Sequence, residues 1–141
     1  MSSQLTEATV KAYVEQLGQR AAFGQYFAPE VSLSMMGTDV GARGAAEVEQ
    51  FIRFFHEQAF DAQPVAKTMC FADGRGALEF DFIGVHTSEF MGVAATGRRV
   101  DVPYSVVYDL AGDRITALRV YMPLDTLMRQ LGASAAAPAA A

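Results

Sequence analysis

Cysteine is almost absent from this chain: Cys70 stands alone among 141 residues. A single thiol excludes an intrachain disulfide and any metal site built on several cysteines, and it suits a reducing compartment. Histidine is nearly as scarce. His56 and His86 lie far apart in the sequence with no cysteine beside them, so no metal site is expected. Tryptophan is missing altogether. Basic residues never cluster beyond Arg98-Arg99 and the formal net charge is −5. No nucleic-acid partner is expected, because neutralising phosphates takes a basic stripe. There is no apolar run long enough to span a bilayer and no charged-then-apolar leader. The expectation is therefore no membrane association and a cytoplasmic location.

What the chain does have is apolar and aromatic. About half of it is hydrophobic, with ten Phe and five Tyr, which is enough for one globular core over residues 1–132. Residues 133–141 form an Ala/Pro-rich tail with nothing to bury, expected to be disordered. Val10, Tyr13, Val14 and Leu17 share one face of a helix over 5–17, and Gly18 ends it. A short helical segment over 20–27 should stop before Pro29. Residues 31–36 read as a strand and 37–44 as a loop. Residues 45–58 give the clearest helix, with Val48, Phe51, Ile52 and Phe55 as its stripe. Strands follow over 64–71, 76–86, 100–110 and 115–122, the last pair joined by a Gly112-Asp113 turn. Pro123 opens a closing helix that ends at Gly132. Helices segregated ahead of a meander imply an α+β fold, a cone in which the helices cover the concave face of a curved, mostly antiparallel sheet. Such a cone leaves a pocket at its open end.

The stretch over 76–102 carries the most information. Leu78, Phe80 and Phe82 alternate with Glu79, Asp81 and Ile83, which sets two carboxylates one pleat apart on a single strand face. After His86 the alternation breaks into a glycine-bearing loop, and a second long strand returns.

Phe82-Ile83-Gly84-Val85-His86-Thr87, Phe90-Met91-Gly92-Val93 and Thr96-Gly97-Arg98-Arg99 resemble the hairpin of the SnoaL-like polyketide cyclases, members of the nuclear transport factor 2-like superfamily. Leu127-Met128-Arg129-Gln130-Leu131-Gly132 is similar to that family's closing helix, and Arg43-Gly44 fits its pattern ahead of the third helix. The resemblance spans roughly residues 5–132. It implies a cone-shaped α+β barrel, a homodimer and a deep apolar pocket for a hydrophobic small molecule. The family's catalytic aspartate in the last strand is matched here by Val120, and its supporting histidine and glutamine by Val106 and Tyr104. The chain is also similar to the limonene epoxide hydrolases, whose Arg-x-Asp is matched by Glu79-Phe80-Asp81.

Aligned without gaps, these positions give an expected pocket face of Glu79, Asp81, Tyr104, Val106, Leu118 and Val120. Ser34 and Met36 join it from the first strand, His86 from the hairpin mouth and Met122 from the end of the last strand. Two carboxylates roughly 7 Å apart along a strand repel in an apolar cavity, so one stays protonated. The expected roles are Asp81 as base, Glu79 as protonated donor and Tyr104 as oxyanion partner. The competing expectation is that both acids point outward and pair with Arg98, Arg99 or Arg119. His86 either assists at the pocket entrance or caps the loop by bonding backbone, and His56 is expected at the surface or in the core. The expected function is cofactor-independent acid–base cyclisation or isomerisation of a polyketide- or terpenoid-like molecule. A non-catalytic binding or accessory protein is the alternative, and an epoxide hydrolase a further one.

Overall fold

The computed structural model describes residues 2–132; the Ala/Pro tail lies outside them. Helix α1 (Ser3–Gly18) is capped by Ser2, whose hydroxyl accepts from the Leu5 N–H, satisfying one of the free donors at a helix start. A 3-10 turn (Phe23–Tyr26) follows, then strands β1 (Phe27–Met35) and β2 (Gly41–Arg43). Helix α2 (Ala45–Arg53) runs on into a π turn (Phe54–Gln58). Four long strands come next: β3 (Phe60–Ala72), β4 (Arg75–His86), β5 (Arg99–Ala111) and β6 (Arg114–Tyr121). Helix α3 (Leu124–Gln130) starts directly after Pro123.

The six strands form one sheet in the order β2-β1-β6-β5-β4-β3. Pairing is antiparallel throughout except between β1 and β6, which run parallel. The sheet is open, with β2 and β3 at its edges. Pro64 sits within β3, which an edge strand tolerates because one of its sides needs no donors. Helix α1 packs over β3 and β4, α2 over β1, and α3 against β5. Gln130 ties α3 to the sheet by accepting from the Asp101 N–H (2.8 Å) and donating to the Asp101 carbonyl (3.0 Å).

The α+β class and the helix-covered, mostly antiparallel sheet agree with the sequence reading, and four boundaries differ by several residues, β3 starting at Phe60 instead of residue 64. The first strand begins at Phe27 and passes through Pro29, leaving only the four-residue 3-10 turn where a longer helical segment is expected. Part of the expected 37–44 loop is β2, which pairs with Ser32, Leu33 and Ser34. The expected helix over 45–58 changes to a π turn at Phe54.

Candidate functional site

Along β4 the register decides which side chains face the helices. Phe80 stands opposite Tyr104 and Leu78 opposite Val106, while Glu79 stands opposite Ser105 and Asp81 opposite Pro103. Directly paired residues share a sheet face, so Leu78, Phe80 and Phe82 face inward and are buried. The two acids face outward. Glu79 accepts a 2.6 Å hydrogen bond from the Thr68 hydroxyl, and Asp81 lies 3.4 Å from the Lys67 ammonium. The expected placement of Glu79 and Asp81 in the pocket is thus corrected, as are the expected arginine partners on the outer face. The physical reason lies in the alternation itself: turning the strand over would expose three large apolar side chains and bury two carboxylates, and both changes cost free energy.

The same parity corrects β1. Leu33 and Met35 face inward and are buried, whereas Ser34 and Met36 are exposed on the opposite side. His86 is fully buried but stands outside the cavity lining. Its Nδ1 accepts from the Thr96 N–H at 3.1 Å, with the Thr96 hydroxyl 3.0 Å away. It closes the loop after β4 by bonding backbone.

Between the helices and the inner sheet face lies a cavity of about 60 Å³. Tyr104, Val106, Leu118, Val120 and Met122 border it from the sheet and the segment after β6, as the sequence leads one to expect. Leu33, Met35, Phe80 and Phe82 complete the sheet side; Tyr13, Leu17, Phe51, Ile52, Phe55 and His56 form the helix side. Sequence reasoning missed three of its polar residues: Tyr13, Tyr108 and His56. The first two were visible as members of apolar stripes, without a sign that their hydroxyls serve more than packing. His56 gave no signal, because its placement depends on the π turn.

Three phenols line the cavity. Tyr13 meets Tyr108 edge-on at 5.9 Å between ring centroids, and Tyr104 stacks on Phe80 at 5.1 Å. Burial pushes the pKa of all three upward, and a charge on Tyr13 would raise both Tyr104 and Tyr108 further. They remain neutral O–H donors at any physiological pH.

His56 is fixed by local geometry. In the π turn the Ala59 N–H bonds the Phe54 carbonyl five residues back, at 2.8 Å; such wide turns are frequent at functional sites. The His56 Nδ1 stands 2.8 Å from the Ile52 carbonyl. A carbonyl only accepts, so Nδ1 carries the proton and Nε2 of the neutral ring carries a lone pair. Among the described residues that buried Nε2 has no hydrogen-bond partner. Burial lowers the His56 pKa to about 4; the Arg20 charge adds to this, while the bond to Ile52 and the Glu57 charge oppose it. Arg20, in the left-handed region at φ 56°, clamps the turn. Its Nη2 donates to the His56 carbonyl (3.1 Å), the Ala62 carbonyl (3.2 Å) and the Asp61 carboxylate (2.7 Å).

The arrangement offers neutral donors and one neutral acceptor in an otherwise apolar lining. A larger groove of about 290 Å³ lies on the outer sheet face beside Lys67, Glu79, Asp81 and Tyr121, but its acids are solvated or paired. Among the described residues no three of His, Cys, Asp and Glu gather into a metal-binding cluster, and no helix is long and apolar enough to cross a membrane.

The family model of the SnoaL-like polyketide cyclases matches residues 5–131. Among solved structures, the chain is similar to a provisionally named SnoaL-like polyketide cyclase from Jannaschia sp. CCS1. That likeness has a TM-score of 0.83 and 17% identity over 93% of this chain and 94% of the other. AclR from Streptomyces galilaeus, provisionally named a hydroxylase, gives 0.77 and 20% over 93% and 98%. A provisionally named ketosteroid isomerase from Kribbella flavida DSM 17836 gives 0.65 and 18% over 86% and 79%. At these identities the likenesses show the fold. No curated protein sequence matches the chain.

Proposed function

Because the chain belongs to the SnoaL-like polyketide cyclase family, we propose that it is a cofactor-independent acid–base enzyme, a cyclase or isomerase, acting on a hydrophobic polyketide- or terpenoid-like small molecule in this cavity. One observation carries the reading: three neutral phenols and an uncharged imidazole border an otherwise apolar space. Enolising a carbonyl needs a base for the proton and donors for the oxygen, and dry surroundings strengthen both interactions. Tyr104 is the donor we assign to the developing oxyanion.

A space of 60 Å³ is well below the ~300–1,000 Å³ of ligand pockets. Substrate would therefore enter by displacing side chains, and the flexible thioethers of Met35 and Met122 are the cheapest to move. The test is hydrogen–deuterium exchange at the carbon between the carbonyls of a 1,3-dicarbonyl panel, followed by NMR. Exchange above the buffer rate is expected, with Tyr104→Phe slowing it by about 10²-fold.

A second reading, a non-catalytic binding or accessory protein, is favoured by Val120 and Val106 on the cavity wall, where the family places its aspartate and histidine. Ligand binding without any exchange would select it. Epoxide hydrolysis through Asp81 and Glu79 is set aside because both lie across the sheet from the cavity.

We also propose a homodimer formed through the outer sheet face, supported by the exposed Val65, Val85 and Tyr121 there. The exposed thiol of Cys70 fits the reducing cytoplasm, our proposed location.

A further inference from the structure

We infer that His56 is the base of this site, taking a proton through Nε2 from a carbon acid whose carbonyl oxygen is held by the hydroxyls of Tyr104 and its neighbours. The inference rests on the acid–base reading above and assigns its missing base.

Geometry selects His56 over every other titratable group. Glu79 and Asp81, the acids nearest in sequence to the cavity strands, are on the wrong face. The phenols are proton donors. His86 has its Nδ1 lone pair engaged by the Thr96 N–H, so its Nε2 carries the proton and cannot accept one. His56 is the reverse in tautomer: among the described residues its ring meets only a carbonyl, so of the two buried, unpartnered Nε2 atoms, those of His56 and His86, only that of His56 carries a lone pair. The ring is held by the Ile52 bond at one nitrogen and by T-shaped packing with Phe82, ring centroids 5.4 Å apart. The backbone beneath it is clamped by Arg20. A base held this firmly has little reorganisation to make when the reacting carbon arrives.

The chemistry balances without a co-reactant. The C–H bond α to the carbonyl breaks and its proton forms an N–H bond at Nε2. The electron pair moves into the carbonyl oxygen, giving an enolate hydrogen-bonded by the phenols. Isomerisation is completed when the same N–H returns its proton to another carbon of the conjugated anion. Cyclisation is completed when the enolate carbon attacks a second carbonyl, whose oxygen takes the proton. Charges around the imidazolium are Arg20 and Glu57, with Asp61 on Arg20, and three neutral phenols line the same cavity. With Arg20 disfavouring the cation and no carboxylate in the cavity lining, the imidazolium is supported mainly by the enolate it creates. So weak a base is best matched to an acidic carbon, as in a 1,3-dicarbonyl.

Two measurements test this. The first is ¹⁵N NMR of the histidine rings in the wild-type protein, which needs neither substrate nor variant. A lone-pair Nε2 and a protonated Nδ1 in His56 are expected; a protonated Nε2 overturns the inference. The second is deuterium exchange into 2,4-pentanedione by wild type, His56→Gln and Glu79→Gln, with fold checked by amide spectra. His56→Gln is expected to lose at least about 10²-fold, and Glu79→Gln to keep the wild-type rate. The wild-type rate is expected to stay level down to about pH 5 and to fall as pH approaches the His56 value of about 4. Exchange by wild type that survives His56→Gln removes His56 and leaves the acid–base reading standing. If wild type exchanges none of the 1,3-dicarbonyls, both fall together.

Discussion

His56 and His86 carry the same ring in opposite tautomers, each fixed by one backbone group. A carbonyl leaves His56 with a bare Nε2, and an N–H leaves His86 with a protonated one. The first has a measurable cost in acid. Because the His56 pKa is lowered to about 4 in the fold and lies near 6.5 in the unfolded chain, the unfolded state binds more protons between those values. Stability is thus expected to drop by roughly 2–3 kcal/mol between pH 6.5 and pH 4. Urea unfolding of His56→Gln across that window should lack this component. Asp109 acts in a lower window. Arg119 donates to both its oxygens (2.7 and 3.1 Å) and Arg75 to one (2.9 Å). The Arg119 hydrogen bonds chiefly, with Arg75, hold its carboxyl below the usual range despite partial burial. A depressed carboxyl stabilises above its unfolded value and loses that contribution as pH falls through the folded one. Asp109→Asn is expected to cost about 1–2 kcal/mol at pH 7, and the difference from wild type should shrink below about pH 4. At this scale alternation separated Leu78, Phe80 and Phe82 from Glu79 and Asp81 but did not say which set is buried. Both faces of β4 carry apolar residues, so the sequence reading sent the acids inward, and the packed strand holds them outward.

Between residues and the whole, the elements were readable by period and poorly readable where one period slips into another. α1, α2 and the four long strands follow their apolar stripes. The π turn does not announce itself, because the single extra residue changes no pattern that a sequence carries; yet it sets the position of His56. β1 starting at Phe27 overrides the helical look of its first residues, since pairing of Phe27 with Ile115 outweighs a weak local preference. Gly84 shows how tightly two elements can close. A Cβ there would run into the Asp61 carbonyl oxygen and stand 2.5 Å from the Ala62 Cα, both backbone atoms of β3. Backbone cannot swing aside like a side chain, so Gly84→Ala is expected to force β3 and β4 apart. A loss of about 2–3 kcal/mol in unfolding free energy is expected, with faster amide exchange along Asp61–Gln63. Phe82, packed edge-on against Phe55 and Phe60 at 5.1 and 5.2 Å, joins the helix layer to the sheet. Phe82→Ala should cost about 3–5 kcal/mol.

Across the whole molecule, six strands share one sheet whose inner face is spent on the core and cavity. The outer face is left to Val65, Val85 and Tyr121 among charged neighbours. If two copies meet there as proposed, sedimentation should report a dimer, and Tyr121→Glu should yield a folded monomer whose melting no longer depends on protein concentration. Strand order was not legible in the sequence. A run of helix, strand, helix and meander does not say that the first strand inserts beside the last, because nothing local marks a pairing made across most of the chain. That parallel pairing of β1 with β6 has a consequence during synthesis. About 80 residues separate Met35 from Arg114, and translation at ~5–20 residues per second delivers them over roughly 4–16 s. For that interval the growing polypeptide carries Val31, Leu33 and Met35 with no long strand to receive them. A ribosome stalled before Arg114 would hold a sticky, half-built sheet, the species that chaperones retain and proteases remove.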